Sequence, residues 1–373
     1  MTSAPGPIVH VSTPRSWRGG EQQLVYLAES LRAGGVPQLV LCPPESELAR
    51  VCVERGLPHA TLRRRASIDP LYARAVARAA NGAGAVIVHA HDPHAHAGAV
   101  LAASLFGLRA PIVVHRRVDF AIGRGRFSRW KYDHPAVRRI VCVSRAIAEI
   151  VRPDVRDPSR LRVVHDGVDA ARFAGARPDG RLRRELGVPP SVPIVGTVAA
   201  LAGHKDHFTF VDTAARLLAD GLDARFVAIG DGPLRAEIAA YVRGRGLDGR
   251  VVLAGFREDL TSILPELDLF LFTSKTEGLG SSILDAYLCR VPVVATAAGG
   301  VPEIVTHGET GLLAPIRDPA ALAAQVRRVL GDAALRAHLV EGGLRRVAAL
   351  GVDRMAEQTL AIDREVAAEV RHG

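Results

Sequence analysis

A chain of 373 residues is too long for one typical core and long enough for two. Hydrophobic residues make up 48% and aromatics only 5%, which excludes an aromatic-rich binding module and suits Val-rich buried strands under Ala/Leu helices; no apolar run approaches the ~18 residues of a membrane span. The formal charge of +9 calls for an anionic partner (nucleic acid, membrane surface or phosphorylated ligand) or else is the solvated surface charge of an arginine-rich chain.

Short β-branched runs at 8–12, 38–42, 85–89, 112–115 and 140–144 predict strands. The patterns at 22–33, 71–80, 95–106 and 146–151 predict helices between them. Alternation of this kind predicts a parallel, doubly wound sheet. Across 166–193 the periodicity lapses into DGVDAARFAGARPDG and a Pro-rich VPPSVP, which marks a domain boundary and hinge. A second series follows, with strands at 194–198, 225–229, 251–254, 269–272 and 293–295 and helices at 208–219, 234–243, 281–289 and 319–330. The halves open alike, since a helix ending LRAGGV recurs as one ending LLADGL. The expected organisation is therefore α/β with two Rossmann-like domains, 1–175 and 190–354, and a helix over 355–373 that packs back on the first. Ligands bind at the carboxyl ends of strands in such sheets, so two facing domains leave a cleft. The four cysteines, Cys42, Cys52, Cys142 and Cys289, lack metal-ligand spacing and read as buried reduced thiols. With no basic flank and apolar core at the N-terminus to suggest a signal peptide, a cytoplasmic protein is expected.

The first strand runs into STPRSWRGGEQQ, where Gly19 and Gly20 let the backbone of a helix N-terminus approach a phosphate. A Gly-Gly turn into a helix is also ordinary structure. In FTSKTEGLGSSILDAYLCRVPVVATAAGGVPEIV, a strand ends, a loop carries Glu277, Gly278, Leu279 and Gly280, and a helix begins near Ser282. The amides of Gly280, Ser281 and Ser282 would face an anion, and Glu277 is placed to bond a sugar hydroxyl. Asp285 lies a turn into the helix, where Ser282-x-x-Asp285 also reads as a capping-box variant. VAALAGHKDH places Lys205 after the first strand of the second series. HAHDPHAH (His89, His91, His94, His96) tempts a metal reading, but no carboxylate cluster or Cys accompanies it and no metal is expected. His91 and Asp92 instead border an acceptor pocket. One basic cluster is Arg63, Arg64 and Arg65; another is Arg124, Arg126, Arg129 and Lys131, interleaved with Phe127, Trp130 and Tyr132. The second suits peripheral contact with an anionic membrane.

Together with VSRAI at 143–147, HDGVDAARF at 165–173, IGDGP at 229–233, GGVPE at 299–303 and GETG at 308–311, these segments make the chain resemble the retaining glycosyltransferases of family 4. The resemblance covers nearly the whole chain and is most specific in its second half. It implies the GT-B fold and a nucleotide-diphosphate sugar as co-substrate; no further cofactor is expected. Because no DxD motif stands in a suitable loop and cations at the diphosphate can replace a metal, transfer without a metal is expected. By the resemblance Glu277 contacts the donor sugar, Asp285 the ribose, and the 280–282 amides the diphosphate, which the Gly19-Gly20 loop covers from the other domain. Lys205 neutralises the departing diphosphate, so Lys205 and Glu277 are expected at opposite ends of one donor. Three departures stand out. The second acid is Asp285, one methylene shorter than the family's Glu. Ala200 stands where the family places an Arg before Lys205, leaving Arg257 as a candidate second cation or a wall of the base pocket. The family's reaction-centre histidine follows a Pro-Val-Val-like strand; here PIVVHRR puts His115 near the position and Arg117 at the usual spacing, and either is a candidate to face the reaction centre.

The expected partners are a nucleotide sugar, UDP-linked by preference because GFRE at 255–258 offers no clear guanine carboxylate beyond Glu258 and Asp259, and a glycan, lipid-linked or small-molecule acceptor. No nucleic acid is expected. A UDP-sugar 2-epimerase shares this architecture but needs acid/base carboxylates around the sugar, which the sequence does not display; a basic nucleic-acid-binding protein has the charge without a reader motif.

Overall fold

Because a helix follows nearly every strand, the strands can pair only in parallel, with the crossovers covering the faces. The computed structural model, which describes residues 6–123 and 125–372, shows parallel pairing in both of its sheets. The chain divides into two units. One runs to Gly167 and takes in the C-terminal helix from Val352; the other is Val168–Gly351.

Among the described residues the first unit carries seven strands: β1 (Ile8–Val11), β2 (Gln38–Cys42), β3 (His59–Thr61), β4 (Ile87–Ala90), β5 (Ile112–Arg116), β6 (Val137–Cys142) and β7 (Leu161–Val163). Their order is β3-β2-β1-β4-β5-β6-β7, so the winding reverses between β1 and β4. On one face Ile8, Ile87, Val113 and Val141 meet Leu27 and Leu31 of the helix Gly19–Ala33 and Met355, Ile362 and Val366 of the helix Val352–His372. Each fully buried aliphatic chain of this kind is worth about 1.5–3 kcal/mol. The C-terminal helix is also fastened by ions: Arg139 pairs with Glu369, and Arg162 and Arg139 reach Glu365 at 3.3 and 3.5 Å.

The second unit carries β8 (Ile194–Val198), β9 (Arg225–Ile229), β10 (Val251–Gly255), β11 (Leu269–Phe272), β12 (Val293–Thr296) and β13 (Leu312–Ala314), in the order β10-β9-β8-β11-β12-β13. Its reversal lies between β8 and β11. Phe210, Phe226, Leu269, Leu271 and Leu322 are in its core.

The domain boundaries read from the sequence require correction. Residues 168–175 belong to the second unit, not the first, and 176–189 are part of it and not a linker. Packing explains why. The helix Ala170–Phe173 lies against the helix Ser281–Leu288 and buries Phe173. The helix Arg181–Leu186 buries Leu182, and Glu266 accepts from the Leu182 and Arg183 amides at 3.0 and 2.9 Å. The C-terminal helix begins at Val352, three residues before the expected start. Three-residue strands β3, β7 and β13 were too short to leave a period. The helix Ala333–Ala348 was hidden by its Gly-Gly pair, which reads as a turn but serves contact: a Cβ on Gly343 would lie 2.4 Å from the Tyr287 ring.

At the first crossing, the Gln23 side chain grips the backbone of Gly167 from both sides, Nε2 donating to its carbonyl at 2.8 Å and Oε1 accepting from its amide at 2.9 Å. A Cβ on Gly167 would fall 2.7 Å from Val352 Cα, closer than backbone tolerates. Gly167→Ala is therefore predicted to cost roughly 1–3 kcal/mol and to lower Tm by a few degrees in thermal unfolding; a variant that melts with the parent refutes this packing.

Candidate active site

In a sheet whose winding reverses, the loops leaving the two strands at the switch point diverge and open a crevice between them. In the second unit those are the loops after β8 and β11. They are stitched together by the Thr273 hydroxyl, donating to the carbonyls of Asp206 at 3.1 Å and Lys205 at 3.3 Å, and by the Lys275 amide, donating to His204 O at 2.9 Å. Between them Lys205 Nζ pairs with the Glu277 carboxylate, the two side chains being only 17% and 14% exposed. Ser274 Oγ donates to the same carboxylate oxygen at 3.3 Å, and Lys205 Nζ sits 5.6 Å from the Phe272 ring centroid. Thus Lys205 and Glu277 meet directly.

The Glu277 loop rests on GGVPE. Gly300 donates its amide to Glu277 O at 3.1 Å, and a Cβ on Gly299, whose φ is +50°, would stand 2.0 Å from that oxygen. Gly280, at φ +94°, is the N-cap of the helix Ser281–Leu288, which has no side-chain cap. This overturns the capping-box reading of Ser282 and Asp285: the helix starts one residue earlier, and no side chain caps its first-turn amides. Gly278 is buried, and Leu279, 2% exposed, packs inward and offers a ligand only its backbone. Asp285 is half-buried, and its carboxylate makes no hydrogen bond among the described residues. Burial pushes its pKa up to about 6, opposed by Arg172 on the helix Ala170–Phe173. Arg257 is not a free second cation. It holds Glu185 at 2.6 Å and Asp259 at 2.7 Å, and those carboxylates raise its pKa further. Phe256, in the GFRE segment, is 69% exposed just beyond β10, and Arg172, which no sequence pattern singles out, lies on a helix that contacts the helix of Asp285.

In the first unit Gly19 and Gly20 open their helix after Arg18, again without a side-chain cap, and nothing lies within 4 Å of a Cβ built on Gly20. Asp92 has a structural task. It caps the helix Pro93–Leu105 through the His94 and Ala95 amides at 2.9 and 3.0 Å, and accepts from Thr13 N and Oγ1 at 2.7 Å each. Glu21, unnoticed within GGEQQ, is buried with Oε2 unpartnered; burial raises its pKa, Asp92 adds to the rise, and Arg117 opposes it. Arg117 donates from Nε to Asp166 at 3.1 Å and lies 3.5 Å from His91 Nδ1.

His91 and His115 are buried in a network of imidazoles. His10 Nδ1 faces His91 Nε2 at 3.1 Å, and His89 Nδ1 faces His115 Nε2 at 2.7 Å, with the His91 and His115 rings stacked at 4.5 Å. Burial drives His91 and His115 well below the ordinary histidine range, and neighbouring imidazoles and Arg117 add to it; His10 is lowered to about 3 by burial first. HAHDPHAH is therefore not one cluster: His96 bonds Lys131 O at 2.9 Å, while His89 and His91 join His10 and His115 from other strands. The basic aromatic stretch also changes. Tyr132 is buried and accepts from Arg116 at 2.8 Å, and Lys131 turns back to Pro93 O at 3.3 Å. Arg126, Arg129, Trp130 and Phe120 remain at the surface; Arg124 lies outside the described residues.

Residues 17–172 match the family described as Glycosyltransferase Family 4, and residues 192–332 match Glycosyl transferases group 1. The chain is 36% identical over 178 residues to 2-deoxystreptamine glucosyltransferase of Streptomyces kanamyceticus, covering 47% of this chain and 46% of that protein. It is 28% identical over 262 residues to UDP-Gal:alpha-D-GlcNAc-diphosphoundecaprenol alpha-1,3-galactosyltransferase of Escherichia coli, covering 67% of each. The chain thus spans about half to two thirds of the length of these relatives. Its fold is that of HepE from Anabaena, solved with UDP and glucose, at a TM-score of 0.83, 20% identity, and 96% and 99% coverage of the two chains.

A carboxyl whose folded-state pKa stands above its unfolded value is most favourable to folding when protonated. The contribution of Asp285 is then lost as pH rises from its unperturbed 3.8 through about 6. Asp285→Asn is predicted to raise stability at pH 7.5 by up to about 3 kcal/mol and to change little at pH 4. Urea unfolding at the two pH values checks this, and a pH-independent difference would contradict it.

Proposed function

Since the chain belongs to the family 4, group 1 glycosyltransferases, we propose that it moves a sugar from a nucleotide-diphosphate sugar to an acceptor hydroxyl, with retention at the anomeric carbon. The observation that carries this reading is the Lys205–Glu277 pair at the β8/β11 switch point, beside the uncapped amides that open the helix Ser281–Leu288. Breaking the anomeric C–O bond leaves positive charge on the ring and negative charge on the diphosphate. The diphosphate replaces Glu277 as the counter-ion of Lys205, and the amides of Ser281 and Ser282 take its oxygens. Glu277, released, accepts from a sugar hydroxyl. The acceptor oxygen bonds the anomeric carbon on the face the diphosphate leaves, and its proton passes to the departing phosphate oxygen. Asp285 binds the ribose, which supplies the hydrogen bond its carboxylate lacks. Phe256 offers a stacking surface to the base. UDP is favoured over GDP because Asp259, a candidate for guanine, is matched by Arg257 and by Arg181 at 3.2 Å.

In the first unit taken by itself, the uncapped Gly19 and Gly20 amides suit an oxyanion, and Arg117, beside His91, suits an acceptor hydroxyl. Lys205 and the amides do the electrostatic work of a divalent ion, so transfer proceeds without added metal. The named relatives from S. kanamyceticus and E. coli act on 2-deoxystreptamine and on a diphosphoundecaprenol-linked sugar, so the acceptor is a small polar molecule, a glycan or a lipid-linked saccharide. No helix among the described residues is long and apolar enough to cross a membrane. A lipid-linked acceptor would be met at the cytoplasmic face of an anionic bilayer through Arg126, Arg129, Phe120 and Trp130, the last 39% exposed.

Three variants test the donor site by calorimetry with UDP and by turnover. Lys205→Ala is predicted to lower turnover roughly 10²–10³-fold and to weaken UDP. Glu277→Gln is predicted to lose turnover while UDP affinity holds or tightens, since the lysine is freed. Asp285→Ala is predicted to weaken UDP. Normal turnover and unchanged affinity in all three would place the active site elsewhere, and conversion of UDP-sugar to its 2-epimer would replace transfer as the reaction. For the membrane contact, liposome flotation should show salt-sensitive binding to anionic vesicles that Arg126→Ala with Arg129→Ala removes; flotation unaffected by salt or by these changes contradicts it.

A further inference from the structure

We propose that His10, His89 and His91 form a buried site for one divalent transition metal ion of the zinc class, with Asp363 orienting His89. The site does not depend on the reading of the donor loops, and nothing in its argument uses them.

Register brings the first two together. β1 and β4 are neighbours in the sheet, and His10 stands opposite His89, so both side chains leave the same face side by side. His91 follows just beyond β4. One ring nitrogen from each of the three lies within 4.8 Å of the others, and all three residues are buried. Ligands on a tetrahedral zinc ion, with bonds of about 2.05 Å, stand roughly 3.3 Å apart. His10 Nδ1 and His91 Nε2 are already 3.1 Å apart. His89 Nε2 is committed to Asp363 Oδ1 at 2.9 Å, which leaves Nδ1 as its ligand atom. Carboxylate, imidazole and metal in that sequence is the usual way a protein fixes the tautomer and orientation of a ligating histidine. His115 Nε2, 2.7 Å from the same Nδ1, supplies the fourth imidazole or gives way to water.

Two further observations point to an ion. Asp363 Oδ2, beside the oxygen that holds His89, is buried without a hydrogen-bond partner. Buried orphans of this kind call for an ion or water. The donor set also selects the ion: imidazoles without thiolates or coordinating oxygens suit Zn²⁺, Co²⁺ or Ni²⁺ and exclude Mg²⁺ and Ca²⁺. Arg117, 3.5 Å from His91 Nδ1, is the nearby cation, and its charge is met by Asp166. When Nε2 binds metal, Nδ1 carries the proton and this long contact opens. HAHDPHAH alone lacked a companion ligand because the companion, His10, stands on a different strand. The ion's task is structural: through His89 and Asp363 it fastens β1 and β4 to the C-terminal helix.

The test uses the full chain without a histidine tag, stripped with chelator and titrated with Co²⁺ and then Zn²⁺. The expected result is one ion per chain, visible absorption bands of tetrahedral Co²⁺, displacement by Zn²⁺, and a higher Tm with Zn²⁺ present. His10→Gln and His89→Gln should abolish binding, Asp363→Asn should weaken it 10–100-fold, and His59→Gln, on β3, should leave it unchanged. Absence of saturable one-to-one binding by the parent chain overturns the proposal, whatever the variants do. So does undiminished affinity in a His10→Gln chain whose circular dichroism matches the parent. Sugar transfer that is absent while the ion binds would count against the donor-site reading and leave this one standing.

Discussion

The Lys205–Glu277 ion pair ties together two loops that the sheet sends in opposite directions. Burying both charges costs several kcal/mol of hydration per ion, recovered only when partners are close and further hydrogen bonds help. Ser274 and the Phe272 face supply that help. The pair in turn depends on backbone geometry at a distance: Glu277 is aimed by a carbonyl that Gly299 must approach without a side chain. In the proposed donor site an incoming diphosphate would exchange one counter-ion for another without first stripping water from the lysine.

The first unit answers the same topological opening differently. At its β1/β4 switch the strand ends hold clustered imidazoles, and the loop after β1 is tied down by Asp92 acting as a cap. Burial disfavours the charged form of His10, His91 and His115. The C-terminal helix carries Asp363, whose carboxylate meets His89. The helix therefore does more than cover an apolar face.

Particular elements show what could be read in advance. The strands at 38–42, 194–198, 225–229 and 269–272 have the bounds read from sequence, because each is a β-branched or aromatic run between turn residues. The Glu277 loop could be outlined from sequence because its glycines, acid and helix start fall within a few residues of one another. The capping box at Ser282 was misread because a left-handed Gly280 starts the helix earlier, a conformational fact that residue spacing does not carry. The pairing of Arg257 with Glu185 was not legible, because Glu185 sits in a segment that reads as linker.

The sequence by itself determined the alternation of strand and helix, the parallel sheets that follow, and the local chemistry of the Glu277 loop, since hydrophobic period, turn residues and glycine placement are short-range properties. Tertiary structure decided what lies far apart along the chain. Lys205 reaches Glu277 across 72 residues, His10 reaches His91 across 81, and His89 reaches Asp363 across 274. Strand order and register set those meetings, and no local pattern encodes them. The same holds for protonation: the raised pKa of Asp285 and the lowered one of His91 are products of burial, which exists only once the chain has folded.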